Sequence, residues 1–397
     1  MTPGEADALA MSAAAYIHIP FCARVCPYCD FAVVAGRDDL AERYASAVVA
    51  EVERTEEWRP LDAVYFGGGT PSHVDPGLLA RILEALAASQ GMSKDAEISL
   101  EANPEDFTDQ LGQALYGIGF NRVSFGAQSL DEVVLTSLGR RHLPEDITRS
   151  VEAAADAGFA NVSVDLIYGT PGETDASWSE SVGRVAGLGV DHVSCYALTV
   201  EPGTPLGRSV GHGAPAPDPD VQADRHEHAD DVLGRAGLKR YEVSNWSRPG
   251  RECRYNMTVW AQGEYLAFGN GAHGFRDGRR YRNLRRIDSY LEAVERDGMP
   301  LAGDDVITGW DAELDRLFVG LRRTIGVRHG PGTRAFMADP DGMRLIEAGV
   351  VEDAGERMVV ARPLLTDLVH RTVLGLAPPS GWEQGQGADI VFTESNA

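Results

Sequence analysis

Three of the chain's five cysteines fall within eight residues, in the run Cys22-Ala23-Arg24-Val25-Cys26-Pro27-Tyr28-Cys29. An odd number of cysteines clustered at one end suits metal binding far better than a disulfide framework, and implies a reducing compartment. A structural zinc site closes with four ligands, and the nearest candidate for a fourth, His18, lies before the loop rather than in it. Iron–sulfur clusters are also held by thiolates, and three cysteines leave one iron open to an outside ligand. Both chemistries fit the spacing. Cys195 and Cys253 stand alone, where a cysteine serves as a small buried hydrophobe.

The cysteine run follows a strand signal, Tyr16 to Pro20, and precedes a helical pattern with Leu40, Tyr44, Val48 and Val52 at four-residue intervals. Next, Asp62 to Phe66 ends in Gly67-Gly68-Gly69-Thr70, and Asp75-Pro76 caps and starts a helix carrying Leu79, Ile82, Leu83 and Leu86. Strand signals at Glu97 to Glu101, Arg122 to Gly126, Asn161 to Gly169 and His192 to Leu198 complete six β/α units, with Gly158 and Gly189 ending two of the helices. This alternation predicts an α/β fold on a parallel sheet, either a barrel-like arc or an open doubly wound sheet, with ligands at the strand C-terminal ends. Glu101, Gln128, Arg140 and Asp165 lie at or just after successive strand ends, and their spacing fits one shared site. Singly, each reads equally well as part of a structural ion pair, for instance Glu101 with Arg122.

A Pro- and Gly-rich stretch from Glu201 to Asp220 breaks the rhythm. The chain therefore divides into an N-terminal segment 1–15, a β/α core 16–210, a distinct region 211–300 rich in aromatic and Asn residues, a helix-plus-hairpin region 301–376 resembling a winged helix, and a tail 377–397 expected to fray. His226 and His228, on a polar helix among acidic residues, are expected to be solvated. The 397 residues are 43% hydrophobic and 24% charged, enough for a sizeable core in roughly two or three domains. No apolar run approaches the ~20 residues of a membrane span, and the Ala-rich start lacks the pattern of a signal peptide, so a cytoplasmic location is expected; peripheral membrane contact and oligomeric state stay open. A net charge of −24 should repel a phosphate backbone, which argues against nucleic acid as a partner.

The cysteine spacing, with an aromatic residue before the third cysteine, resembles the radical S-adenosylmethionine signature. Tyr16-Ile17-His18-Ile19-Pro20-Phe21-Cys22, Gly67-Gly68-Gly69-Thr70-Pro71, Glu101-Ala102-Asn103-Pro104, Asn121 to Ser129, Asp165 to Gly172 and Tyr241 to Trp246 resemble the oxygen-independent coproporphyrinogen III oxidase family, and within it the haem chaperone subfamily, HemW. The likeness spans roughly residues 15 to 375. It implies a partial (β/α)6 TIM-like barrel of the radical S-adenosylmethionine type with a C-terminal α+β winged-helix-like region. It implies a 4Fe-4S cluster on Cys22, Cys26 and Cys29, with S-adenosylmethionine on its open iron undergoing one-electron cleavage of the sulfonium. Matching positions imply cofactor contacts from Tyr16, Tyr28, Gly68, Gly69, Thr70, Glu101, Gln128, Arg140 and Asp165. A glycine run at a strand end suits such a ligand because backbone can approach it without a Cβ in the way.

Within the family, the oxidase branch carries a further cysteine where this chain has Phe31, and a longer N-terminal extension than the fifteen or so residues found here. Both departures point to the haem chaperone branch, which binds haem and passes it to acceptor proteins; porphyrin decarboxylation by a true oxidase and a zinc-stabilised binding module are the competing readings, so enzyme activity stays open. That branch carries His-Asn-x-x-Tyr-Trp for haem, and the aligned stretch here is Tyr255-Asn256-Met257-Thr258-Val259-Trp260, followed downstream by Gly271-Ala272-His273-Gly274. Tyr255, Asn256, Trp260 and His273 are thus the haem candidates, with Cys253 an alternative ligand. Tyr255, Trp260 and Phe268 read equally well as an aromatic packing patch.

Overall fold

The computed structural model describes residue 4, residues 8–379 and residue 382. Strand β1 (Ala13–Ile19) is followed by α1 (Ala41–Arg54), β2 (Leu61–Gly68), α2 (Pro76–Gln90), β3 (Met92–Ala102), α3 (Asp109–Ile118) and β4 (Arg122–Gln128). Two helices, α4 (Glu132–Ser137) and α5 (Pro144–Ala157), lead to β5 (Asn161–Tyr168), and α6 (Asp175–Gly187) leads to β6 (His192–Ala197). Helix starts follow their caps: the Asp75 carboxylate accepts from the Gly77 amide at 2.7 Å, with Pro76 opening the helix.

The six strands are parallel and lie side by side in chain order. A doubly wound sheet would reverse direction at some point; this order never does, so the strands form the wall of a partial barrel. Their sequences alternate on two buried faces. Val64, Leu100, Val123, Phe125, Val164 and Val193 join the helices in one hydrophobic core. The opposite, lumen-facing positions are Ser99, Glu101, Arg122, Ser124, Ser163, Asp165, His192 and Ser194. The barrel interior is therefore polar, and its groups answer one another: Ser163 Oγ lies 2.8 Å from His192 Nδ1, and His192 Nε2 lies 2.8 Å from Tyr241 Oη.

After α7 (Pro205–Gly211) and α8 (Pro219–Arg235), the chain supplies both flanks of this wall. Strands β7 (Lys239–Arg240) and β8 (Asn245–Ser247) pair antiparallel beyond β6. Helix α9 (Arg254–Trp260) then crosses to the other side, where β9 (Glu264–Phe268) adds parallel to β1. An antiparallel run of β10 (His273–Arg276), β11 (Arg279–Asn283) and, past α10 (Ile287–Glu295), β12 (Leu301–Val306) completes a sheet of twelve strands. Glu51 of α1 pins this flank: it accepts from the Gly269 amide at 2.9 Å, Asn283 Nδ2 at 2.6 Å and Tyr290 Oη at 2.6 Å.

Helix α11 (Gly309–Gly320), β13 (Val327–Arg328), α12 (Pro331–Ala338), α13 (Pro340–Glu347), β14 (Val351–Asp353) and β15 (Arg357–Val360) follow, then α14 (Thr366–Leu374). This is the element order of a winged helix, and it has its own core around Leu317, Phe336, Val351 and Val373. Apart from 377–379 and Trp382, whose ring meets Trp310 edge-on at 5.4 Å, the stretch expected to fray lies outside the described residues.

One expectation is overturned. His226 is buried, not solvated: its ring packs against Trp246 at 5.3 Å, and its Nε2 donates to the Val243 carbonyl at 3.0 Å. The acidic neighbours concealed a helical stripe, since Ala229 and Leu233, three and seven residues on, are buried on the same face. His228 is half-buried as well.

Candidate functional site

The cysteine loop leaves the C-terminal end of β1. A two-residue parallel ladder between Phe21–Cys22 and Val34–Ala35 ties its two ends together, and the Cys29 amide bonds to the Cys26 carbonyl at 3.1 Å to form the turn. Two donors from other segments reach the sulfurs: Thr70 Oγ1, just after β2, is 3.6 Å from Cys22 Sγ, and Arg140 Nη1, from the turn between α4 and α5, is 3.8 Å from Cys26 Sγ. Arg140 is held in place by the Asn103 side-chain oxygen at 2.6 Å and the Gly126 carbonyl at 2.9 Å. Asn103 in turn donates to Thr70 Oγ1 at 3.3 Å, so the residues facing the loop form one network. Burial raises the thiol pKa of Cys22 and raises that of Cys29 to about 11.

Among the described residues no three His, Cys, Asp or Glu side chains converge as ligands of a single ion. His18 does not serve as a fourth ligand, because both its ring nitrogens are engaged. Its Nε2 donates to the Ala32 carbonyl at 3.1 Å, which makes Nδ1 the acceptor of the Tyr16 hydroxyl at 3.2 Å. Burial lowers the His18 pKa to about 4, so the ring is neutral. Three partly buried thiols met by a hydroxyl and a guanidinium fit a thiolate-held cluster with an open position, since hydrogen bonds to sulfur stabilise its charge.

The glycine run packs against this loop. A Cβ on Gly69 would meet Ile19 O and Pro20 C at 2.7 Å, so the backbones of β1 and β2 touch there. Gly68 has φ +108, and a Cβ would meet the His18 ring at 2.3 Å. Gly68 therefore admits the His18 ring, a neighbour that its resemblance-based role did not include. Its amide donates to Glu101 Oε2 at 3.0 Å, while Tyr65 Oη donates to Oε1 at 3.1 Å. Glu101 makes no ion pair with Arg122 or any other described cation; burial raises its pKa to about 7, and the Asp165 charge adds to the shift. Asp165 accepts from Ser124 Oγ at 3.0 Å to both oxygens, and burial raises its pKa too. Gln128 takes a positive φ of 65 at the end of β4, where the register with β5 slips, and its Nε2 lies against Gly126 near Arg140. Tyr28 packs into a small apolar cluster with Leu138 and Ile167.

The haem candidates are split by the fold. Tyr255, at the start of α9, stacks on Tyr16 at 5.9 Å and Tyr65 at 5.3 Å and meets Tyr265 edge-on at 6.0 Å. Tyr255 and His273 share a cleft of ≈ 300 Å³ with Tyr16, His18, Asp30, Phe31, Ala32, Tyr265, Gly271 and Arg285. Trp260 lies elsewhere, under the Arg322 guanidinium at 4.6 Å, toward the C-terminal core. Asn256 is half-buried on α9 and does not line the cleft. Cys253 is fully buried at the start of α9, and burial pushes its thiol up to about 12. Asn103, Tyr65, Phe31 and Arg285 were not singled out as site residues from sequence. Tyr65 could have been found from strand alternation with Gly67; the others depend on loop geometry.

Residues 16–185 match the radical SAM superfamily. The chain is 38% identical over 387 residues to the haem chaperone HemW of Mycobacterium tuberculosis, covering 94% of this chain and 97% of that one. It is 38% identical to the Synechocystis haem chaperone HemW, over 80% of this chain and 79% of the other. Among solved structures, the Escherichia coli coproporphyrinogen III oxidase HemN superposes with a TM-score of 0.79 at 22% identity, over 93% of this chain and 92% of that one. At that identity the likeness concerns the fold, a radical SAM barrel with its C-terminal region.

Proposed function

Because the chain belongs to the HemW family of the radical S-adenosylmethionine superfamily, we propose that it is a haem chaperone: it holds a 4Fe-4S cluster on Cys22, Cys26 and Cys29, binds S-adenosylmethionine beside it, and carries haem to acceptor proteins. The observation that carries this reading is the convergence of the three-thiol loop, the glycine run and two buried carboxyls without a direct ion pair, Glu101 and Asp165, at one end of the barrel. When bound, the cluster supplies an electron at the site where the sulfonium is held.

The chain's own residues prepare for these guests. Arg140 and Thr70 donate toward Cys26 and Cys22, offsetting the burial that disfavours thiolates. Burial and the nearby Asp165 charge hold the Glu101 pKa at about 7 even though the Arg122 guanidinium opposes them, so an ammonium or sulfonium arriving nearby would favour its ionised form and gain its attraction. Gly67, Gly68 and Gly69 bring backbone close where side chains would collide. Tyr16 joins the two parts: through His18 it contacts the cysteine-loop exit, and through Tyr255 it lines the aromatic cleft that supports haem carriage.

The reading is tested by loading the reconstituted chain with haemin and mixing it anaerobically with an apo-haemoprotein that lacks its haem. Transfer of the Soret band to the acceptor is the expected result. Anaerobic formation of protoporphyrinogen from coproporphyrinogen III, with no haem transfer, would instead establish the oxidase.

A further inference from the structure

We infer that His273, and not Tyr255, is the residue of this chain that ligates haem iron, with Phe31 as the wall against which the porphyrin stacks and Arg282 and Arg285 as the partners of its propionates. This rests on the haem-carrying reading above and names the residues of that site. The cleft between the exit of the cysteine loop and β9–β11 offers several donor atoms, and of its two imidazoles, His18 and His273, only that of His273 is unbonded among the described residues.

Tyr255 is half-buried among three other tyrosines, and desolvation together with the neighbouring phenols raises its pKa well above the ordinary value. Its ring contacts among the described residues are other tyrosines, which supply no positive charge to hold the phenolate that iron would need. His18 has both nitrogens committed. Cys253 lies in the core behind Tyr255, outside the cleft.

His273 is exposed at the cleft rim on β10, and its ring makes no hydrogen bond or ion pair among the described residues. The cleft wall and the guanidiniums of Arg282, Arg280 and Arg285 lower its pKa, keeping the imidazole in the neutral form that binds metal. Arg282 is its direct cross-strand partner. Arg280 is consumed by Asp315 at 2.9 Å, whereas Arg282 and Arg285 have no carboxylate partner among the described residues. In a chain of net charge −24, two unneutralised guanidiniums beside a free imidazole are a site for a dianionic, iron-bearing ligand.

Phe31 completes the recognition. It is 62% exposed, a large apolar ring left in water directly after the cysteine loop, and it lines the same cleft as His273. A cleft of ≈ 300 Å³ is at the lower end of the range for sites that enclose a small-molecule ligand, about 300–1,000 Å³. It grips one edge of a porphyrin and leaves the other in solvent, which suits a cargo that must be handed on.

The test is haemin titration of the full chain, read in the Soret region, for wild type, His273→Ala and Tyr255→Phe. Wild type should saturate with a shifted band. His273→Ala should bind at least tenfold more weakly and lose the shift, and free imidazole should restore it, a rescue that a merely structural role would not give. Tyr255→Phe, which keeps the cleft-lining ring and removes only the hydroxyl, should keep the shifted band, and Arg282→Glu should weaken binding severalfold without moving the band. An unchanged spectrum in His273→Ala, or a band lost in Tyr255→Phe, overturns the assignment while haem carriage stands. A wild-type chain with no saturable band overturns haem carriage itself.

Discussion

The mouth of the barrel and the aromatic cleft beside it are built in opposite ways. At the mouth, each group sits on a different strand end but within a short sequence motif, and hydrogen bonds already link the motifs: Thr70 to Cys22, Asn103 to Thr70, Arg140 to Asn103 and Cys26. The cleft joins residues 30–32 to residues 255–285, and exists only because β9 adds to the flank of β1. At its rim the His273 imidazole is unbonded, and Arg282 and Arg285 have no carboxylate partner among the described residues. A site preorganised by a network suits a resident cofactor; a site with an unbonded imidazole and guanidiniums that no carboxylate neutralises suits a guest that leaves.

The sharpest separation of the two regions comes from two cysteines. Cys26→Ala should abolish the cluster and with it S-adenosylmethionine binding, whereas Cys253→Ala, outside both sites, should retain full cluster absorbance and cost about 1 kcal/mol of stability from lost burial. Visible absorbance and iron content of the two purified variants decide it; a brown Cys26→Ala protein breaks the distinction.

A smaller effect tests the seam on which the cleft depends. Burial raises the Glu51 pKa to about 7, above its ordinary 4.5, despite hydrogen bonds from Tyr290, Gly269 and Asn283. The native state thus binds a proton that the unfolded chain has released between those values. The stability contributed by protonated Glu51 is complete below about 4.5 and lost as pH rises through about 7. The stability of wild type relative to Glu51→Gln should therefore fall by on the order of 3 kcal/mol across that window. Denaturant melts of the cluster-free proteins at pH 4.5 and 8 measure it, and a pH-independent difference would mean that Glu51 stays ionised.

The same contrast explains what sequence reading could reach. The six parallel strands were legible because their alternation and terminal glycines are local, and β1 merely began three residues earlier, at Ala13 rather than Tyr16. The cysteine loop was legible because spacing alone defines it. The antiparallel strands β10 to β12 were not. His273-Gly274-Phe275-Arg276 and Arg279 to Asn283 are Arg-rich and short, and their pairing is set by the flank they join. His226 was misread because charged neighbours outweighed its Ala229 and Leu233 stripe. Beside its expected cofactor contact, Gly68 also admits the His18 ring, a meeting of two strand ends that no single motif reveals.

The most direct measurement is anaerobic reconstitution of the wild-type chain with iron and sulfide, followed by metal and sulfide analysis and a haemin titration on the same sample. The account predicts iron and sulfide in equal amounts at one 4Fe-4S cluster per chain, together with a saturable, shifted Soret band. One zinc per chain with neither iron nor sulfide would contradict it.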